Sequence, residues 1–247
     1  MSDAVPPLDD ARDRAPWLNA LAAAIAVLHL YFNSFSPLSG LWTSLLHFGL
    51  LGLLVALVIP ARKTWTGKIA KTCDGILGGV VLVSCLYLIF GEYAFYERGQ
   101  SFTLWDWIFA VAAVICALEL ARRTTGWVIP ILAILALTYT AWWGRYVTGV
   151  FHFPGLTWET VFYRATYGGD GMFGTIARIS WTYVFMFILF GTMLLKSGAS
   201  EIILALARAA AGRFIGGPGL VAVFGSGLMG SVSGSAIGNT VSTGVVT

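Results

Sequence analysis

Charge is scarce in this sequence. Asp, Glu, Lys and Arg make up 11% of its 247 residues, whereas a soluble domain carries about 25%. Hydrophobic residues make up 57% of the chain, and its mean hydropathy is +0.80. Too few polar residues remain to cover a water-soluble surface, and only hydrogen-bonded helices or closed barrels can cross lipid. We therefore predict an all-α integral membrane protein.

Several kinds of functional site are also missing from the sequence. No basic patch is interleaved with aromatics, so nucleic-acid binding is not expected. The three cysteines lie scattered in apolar segments, without metal-ligand or redox spacing. Residues 225–230 match the G-x-G-x-x-G pattern, but no βαβ unit surrounds them. Residues 230–234 carry Val232 where a G-x-S-x-G hydrolase has its serine. We expect neither an enzyme nor a bound cofactor.

Six apolar segments precede the carboxyl-terminal part of the chain. Each is close to the length of about 17–25 residues that a membrane-spanning helix needs. The segments are Trp17–Phe35, Leu41–Ile59, Gly75–Gly91, Leu104–Ala121, Trp127–Gly144 and Ile179–Leu195. The sequence thus predicts about six transmembrane helices.

The positive charges give an orientation for these helices. With the amino terminus in the cytoplasm, eleven Lys and Arg residues fall inside and four outside, as the positive-inside rule requires. Residues 1–16 then form a cytoplasmic tail and residues 17–123 a four-helix membrane domain. Residues 127–247 begin a second domain, which contains two spans, a connecting helix at 199–213 and a re-entrant hairpin.

Isolated polar residues in the spans have structural explanations. Glu119 lies three and four residues before Arg122 and Arg123, so a local ion pair is expected. His29 and His47 have no acidic neighbour in sequence, and we expect packed, neutral side chains rather than ligands. Thr157 is placed to cap a short helix that lies along the membrane surface on the outer side.

The carboxyl-terminal residues 214–247 form a run of 34 residues without a charge, with nine glycines and eight Ser or Thr. A straight helix of that length would reach roughly 51 Å, well beyond a hydrocarbon core of about 30 Å. The run is most polar at its centre, residues 225–235, so two half-helices meeting at a Ser/Gly tip fit better than one span. Broken helices of this kind bind substrate and coupling ion in many secondary transporters.

Two readings of this run stay open. In the first, Gly230, Gly234 and Gly238, which recur every four residues, form a face whose sole role is close helix packing. Four serines between Ser226 and Ser235 favour an oxygen-lined site instead, because hard cations such as Na⁺ prefer oxygen ligands and half-helix amino termini attract carboxylates.

The pattern of these residues resembles a known family. Residues 229–236, preceded by residues 187–194 and 196–198, resemble the large permease component of the tripartite ATP-independent periplasmic (TRAP) transporters. The Gly-Gly-Pro turn at 216–218 falls in the same order as in that family. Residues 118–126 and 168–173 look like the TAXI branch, in which a four-helix small subunit is fused before the large one.

The resemblance implies a Na⁺-driven symporter in the bacterial inner membrane. It implies an organic acid substrate, often a dicarboxylate, delivered by a periplasmic solute-binding protein, with lipid as the surroundings. Its signature belongs to the first of two re-entrant hairpins that share the binding site. The expected substrate and ion site is Ser231, Ser233, Gly234, Ser235, Asn239 and Thr240, with Na⁺ on Ser231, Ser233 and Asn239.

One departure from the family follows from the same resemblance. The second hairpin and the second half of the transport fold have no counterpart before Thr247, so we expect an amino-terminal fragment that does not transport alone. The alternative function is a non-transporting membrane scaffold or assembly subunit, whose glycine face only docks helices.

Overall fold

The computed structural model describes residues 16–62 and 67–232, and these residues form helices joined by turns without a β-strand. The chain divides into two compact units, Met1–Trp181 and Thr182–Thr247. The helices are α1 (Pro16–Phe35), α2 (Gly40–Val58), α3 (Lys68–Glu97), α4 (Leu104–Thr125), α5 (Val128–Ala141), α6 (Trp158–Thr166), α7 (Thr175–Ile179), a π-helical turn (Ser180–Val184), α8 (Phe185–Lys196), α9 (Ala199–Ala211) and α10 (Gly217–Val232). The predicted all-α fold is confirmed.

Five helical segments of the described chain are long and apolar enough to cross a bilayer. They are Pro16–Phe35, Gly40–Val58, Lys68–Glu97, Leu104–Thr125 and Thr175–Leu194. These segments can enter lipid because their side chains are apolar and a helix hydrogen-bonds its own backbone. Five of the six predicted spans are confirmed in this sense.

The fifth predicted span, Trp127–Gly144, is shorter than expected. Its helix α5 has 14 residues, which reach about 21 Å. The chain then turns through a 3₁₀ turn at Trp143–Tyr146, where the Arg145 guanidinium donates to the carbonyls of Ala141 and Trp142 at 3.1 and 3.0 Å. The sequence missed this ending because the aromatic residues after Ala141 are as apolar as the helix itself.

The closest helix crossing in the first unit joins α2 and α3. A Cβ added at Gly52 would lie 2.7 Å from a methyl carbon of Val81, and one added at Gly78 would lie 2.7 Å from a methyl carbon of Leu53. Small residues at facing positions let the two backbones approach, which is how helices associate where water provides no hydrophobic driving force.

A buried cluster at one end of α3 joins the loops to the bundle. Phe95 is fully buried and stacks on Tyr167 with ring centroids 4.7 Å apart. Tyr167 follows α6, whose first turn is capped by Thr157 as predicted. The backbone amide of Phe102 donates to Glu159 at 2.7 Å, so α6 is held against the start of α4.

Candidate functional site

The predicted binding residues lie at the carboxyl-terminal edge of the described structure. Ser231 is in the last described turn of α10. The other predicted residues, Ser233, Gly234, Ser235, Asn239 and Thr240, lie outside the described residues. Their assignment as a substrate and Na⁺ site therefore stays a prediction.

Helix α10 tests part of that prediction. The interruption was expected within residues 225–235; residues 225–232 continue the helix that begins at Gly217, and residues 233–235 lie outside the described residues. The 16 described residues of α10 reach about 24 Å. Backbone hydrogen bonding compensates for the low helix propensity of Gly and Ser in an apolar segment.

One face of α10 is buried, and the neighbouring face is exposed. Val221, Gly225 and Met229 are buried at a spacing of four residues, and Val221 contacts Ala207 and Ala211 of α9. Gly230, the first glycine of the proposed packing face, is exposed. The packing of α10 against α9 thus uses the face of Val221, while Gly234 and Gly238 lie outside the described residues.

The turn between α9 and α10 requires glycine. Gly216 has a φ of +83°, and a Cβ at Gly217 would lie 2.5 Å from the carbonyl oxygen of Gly212. Only glycine adopts the first conformation at low cost and leaves room for the second contact. The predicted turn is therefore confirmed at Gly216, whereas Gly217 and Pro218 already belong to the first turn of α10, where proline is tolerated.

A second group of polar side chains lies inside the first unit, between α1, α2 and the π-helical turn. Nε2 of His29 lies 2.8 Å from Nδ1 of His47, and Nε2 of His47 lies 3.1 Å from Oγ of Ser180. His29 also contacts the carbonyl oxygen of Ile25 through Nδ1 at 2.7 Å. Both histidines are buried. The sequence predicted packed histidines, but it did not predict that they contact each other.

The π-helical turn supplies two further contacts to the same group. The side-chain amide of Asn33 donates to the carbonyl oxygen of Trp181 at 3.2 Å, and the Trp181 indole donates to Oγ of Ser44 at 3.2 Å. A π turn widens the helix and redirects its backbone carbonyls, and such turns often occur at functional sites. This turn could not be predicted from sequence, because residues 180–184 have ordinary helix-compatible side chains.

Ionisable residues at the other end of α2 form a compact network. Arg123 donates to Asp74 at 2.7 Å, to Glu119 at 2.8 Å and to the carbonyl oxygen of Ile59 at 3.0 Å. Arg122 binds Glu119 through two nitrogens at 2.7 and 2.8 Å. The local Glu119 ion pair is confirmed, whereas the long-range partner Asp74 was missed. A guanidinium at a helix carboxyl terminus satisfies carbonyls that lack an intrahelical partner.

The opposite end of the bundle carries a buried carboxylate. Asp106 is fully buried and accepts from Arg98 at 2.7 Å, from Tyr87 at 2.9 Å and from the Thr103 backbone amide at 2.8 Å. With Thr103 it forms a capping box at the start of α4. Asp106 therefore has a structural role at this helix end.

The described residues contain no cluster of three or more His, Cys, Asp or Glu side chains that could hold a metal ion. Three of the described acidic side chains, Asp74, Asp106 and Glu119, are paired with arginines.

These features first define a class of protein. Apolar helices of membrane-spanning length, with polar contacts on inward faces and ion pairs at the helix ends, are the architecture of a multi-pass α-helical membrane protein.

Comparison with known families then identifies the chain more closely. The family described as "Tripartite ATP-independent periplasmic transporter, DctM component" matches residues 112–247, which is more than half of the chain. The chain belongs to this family, and it is a component of a transporter rather than an enzyme. No curated protein and no solved structure matches the chain.

Proposed function

We propose that this chain is the permease part of a Na⁺-coupled TRAP transporter that imports an organic acid delivered by a periplasmic solute-binding protein. The family match to the permease component supports the general function. The finer proposal is supported by helix α10. This uncharged helix begins at Gly217 and reaches Ser231 within about 24 Å.

The chemistry beyond α10 suits a cation and a carboxylate. Residues 233–247 contain no charged side chain and six Ser or Thr, so oxygen atoms are the available ligands there. Na⁺ prefers oxygen ligands, and a carboxylate is attracted to the amino-terminal end of a half-helix. We place the substrate and Na⁺ site at Ser231, Ser233, Gly234, Ser235, Asn239 and Thr240.

Uptake by the permease tests the proposal. The permease is reconstituted in liposomes with its solute-binding protein, and uptake of radiolabelled mono- and dicarboxylates is measured with Na⁺ or choline outside. We expect uptake of at least one acid that requires both Na⁺ and the binding protein. Equal uptake in choline would refute the Na⁺ coupling, and uptake without the binding protein would refute that partner.

Substitutions then test the site itself. We expect Ser233→Leu and Ser235→Leu each to lower Na⁺-dependent uptake at least tenfold, because each removes an oxygen ligand and adds bulk. Ser101→Leu, in an exposed turn before α4, is the matched control and should leave uptake unchanged. Normal uptake by both hairpin variants, inserted at the parent level, would reject the site.

A further inference from the structure

The polar contacts between α1, α2 and the π-helical turn form one continuous hydrogen-bond chain. It runs from the Ile25 carbonyl through His29 and His47 to Ser180, with successive separations of 2.7, 2.8 and 3.1 Å. His29 is 0% exposed and His47 is 8% exposed, so the chain lies away from bulk water.

The three side chains reach this point from the same end of the bundle. His29 lies six residues before the end of α1, His47 seven residues after the start of α2, and Ser180 five residues after the start of α7. At 1.5 Å per residue, each is roughly 8–10 Å along its helix from that end. Three helices therefore place one polar group each at a common depth.

The chemistry of the acceptors fixes where the protons are in the neutral chain. A carbonyl oxygen can only accept, so Nδ1 of His29 carries the hydrogen that points to Ile25. Nε2 of neutral His29 is then unprotonated and accepts from Nδ1–H of His47. Nε2 of His47 is also unprotonated and accepts from the Ser180 hydroxyl. Both rings carry their proton on Nδ1, and every contact is one donor to one acceptor.

The same hydrogen-bond chain can accept one additional proton. If Nε2 of His47 gains a proton, it becomes a donor, and the Ser180 hydroxyl rotates to accept from it, since a hydroxyl can do either. No hydrogen bond in the chain is lost. The proton between the two rings can lie on either nitrogen, so the charge is shared in a charge-assisted hydrogen bond. A second added proton would set two N–H groups against each other.

We propose that His29 and His47 form a binding site for a single proton, shared between the two imidazole rings and completed by Ser180. Proton uptake adds one positive charge, breaks no covalent bond and reverses the Ser180 hydroxyl. This site is independent of the substrate and Na⁺ site proposed above, and nothing in the family match assigns it.

Few ionisable groups approach this site from the helices packed around it. On α1 the nearby polar group is neutral Asn33, and on α2 it is neutral Ser44. Cys85 of α3 faces α2 at Gly49, Glu92 of α3 accepts from the Trp42 indole near the start of α2, and Arg178 precedes Ser180 by two residues. The Arg123 network is about 18 Å further along α2.

The sharing of one proton determines how the two rings respond to pH. Because the rings share one proton, they titrate as a pair rather than as two separate sites.

Nitrogen NMR of the ¹⁵N-histidine-labelled full chain in bilayers tests the proposal, because the chain has three histidines and the His152→Gln variant assigns the remaining two. We expect both buried rings protonated on Nδ1 at pH 8. On acidification the pair should take up one proton in total, and the resonances of both rings should move together with one midpoint. Two protons taken up independently, one on each ring, would overturn the proposal, as would no uptake before the protein unfolds.

Two serine variants separate the proton site from the general packing of the cluster. Ser180→Ala removes the acceptor for the added proton, so the pair should bind a proton about tenfold more weakly, which is about one pH unit. Ser44→Ala removes a neighbouring hydroxyl that accepts from the Trp181 indole. Ser180→Thr keeps the hydroxyl at position 180. Both variants should titrate like the parent. Equal midpoints for Ser180→Ala and Ser44→Ala would refute the role of Ser180.

Discussion

Arg123 and Asp74 are 49 residues apart in the chain, yet Nη1 of the arginine lies 2.7 Å from Oδ1 of the aspartate. Their side chains are 4% and 10% exposed. The pair ties the start of α3 to the end of α4, and the same guanidinium donates to the Ile59 carbonyl just after α2. One side chain thus joins three helices of the first unit.

Removing this guanidinium should destabilise the bundle strongly. We expect Arg123→Gln to lower the free energy of unfolding by about 3–5 kcal/mol, because Asp74 is left charged, buried and unpaired. Arg122→Gln is the matched control, and it should cost about 1 kcal/mol because its side chain is 19% exposed. Denaturant unfolding in detergent, followed by tryptophan fluorescence, measures both. Equal losses for the two variants would contradict the central role of Arg123.

Close packing of α2 on α3 gives a second prediction. Gly78→Val should lower the free energy of unfolding by about 1–3 kcal/mol, since the added carbons meet Leu53, with its Cα 3.3 Å from the new Cβ. Gly79→Val places the same side chain where nothing lies within 4 Å. The neighbouring variant should therefore retain the parent stability in the same unfolding assay. A destabilised Gly79→Val protein would show that helix propensity, not packing, is responsible.

The Asp106 capping box provides a third test. Asp106→Ala should cost about 3 kcal/mol, because Arg98 and the Thr103 amide lose a buried acceptor. Thr103→Ala removes only the hydroxyl cap and should cost about 1 kcal/mol. Thermal unfolding in detergent compares the two variants. If the threonine change is as costly as the aspartate change, the cap rather than the buried charge dominates at this helix end.

Alkaline pH should act on Tyr167, which lies outside the membrane-spanning helices. Burial raises the pKa of its hydroxyl, and the hydroxyl donates to the Leu88 carbonyl at 3.3 Å. The folded state holds this proton more tightly than the unfolded state. The resulting stabilisation is complete below the unfolded pKa of about 10 and is lost as the pH rises towards the folded value.

Tyr167→Phe separates this contribution from the other tyrosines. At neutral pH the variant should lose about 1 kcal/mol with its hydrogen bond. Above pH 10 the gap between parent and variant should narrow, because the parent loses the proton-linked part of its stability. Unfolding measured from pH 8 to pH 11 checks this, and a gap that stays constant would contradict it.

Much of this architecture follows from local composition. The five long apolar helices, the Thr157 cap, the Glu119 ion pair and the turn at Gly216 were predictable, because each depends on residues within a few positions of one another. The uncharged run after Phe214 and its resemblance to TRAP permeases correctly indicated the family that matches residues 112–247. The substrate and Na⁺ site within that run stays a prediction.

Other features depend on which helices become neighbours. Asp74 finds Arg123, and His29 finds His47, across distances along the chain that no periodicity encodes. The early end of α5 and the π-helical turn at Ser180–Val184 are set by the hydrogen bonds available around them, not by hydrophobicity.

The amino-acid sequence by itself determined that this protein enters a membrane as helices, because apolar side chains and self-satisfied backbones are the local requirements of lipid. The tertiary structure alone decided which polar groups share the interior. Partner choice for a buried charge or imidazole depends on the depth and rotation of separate helices, and these are fixed only when the helices pack together.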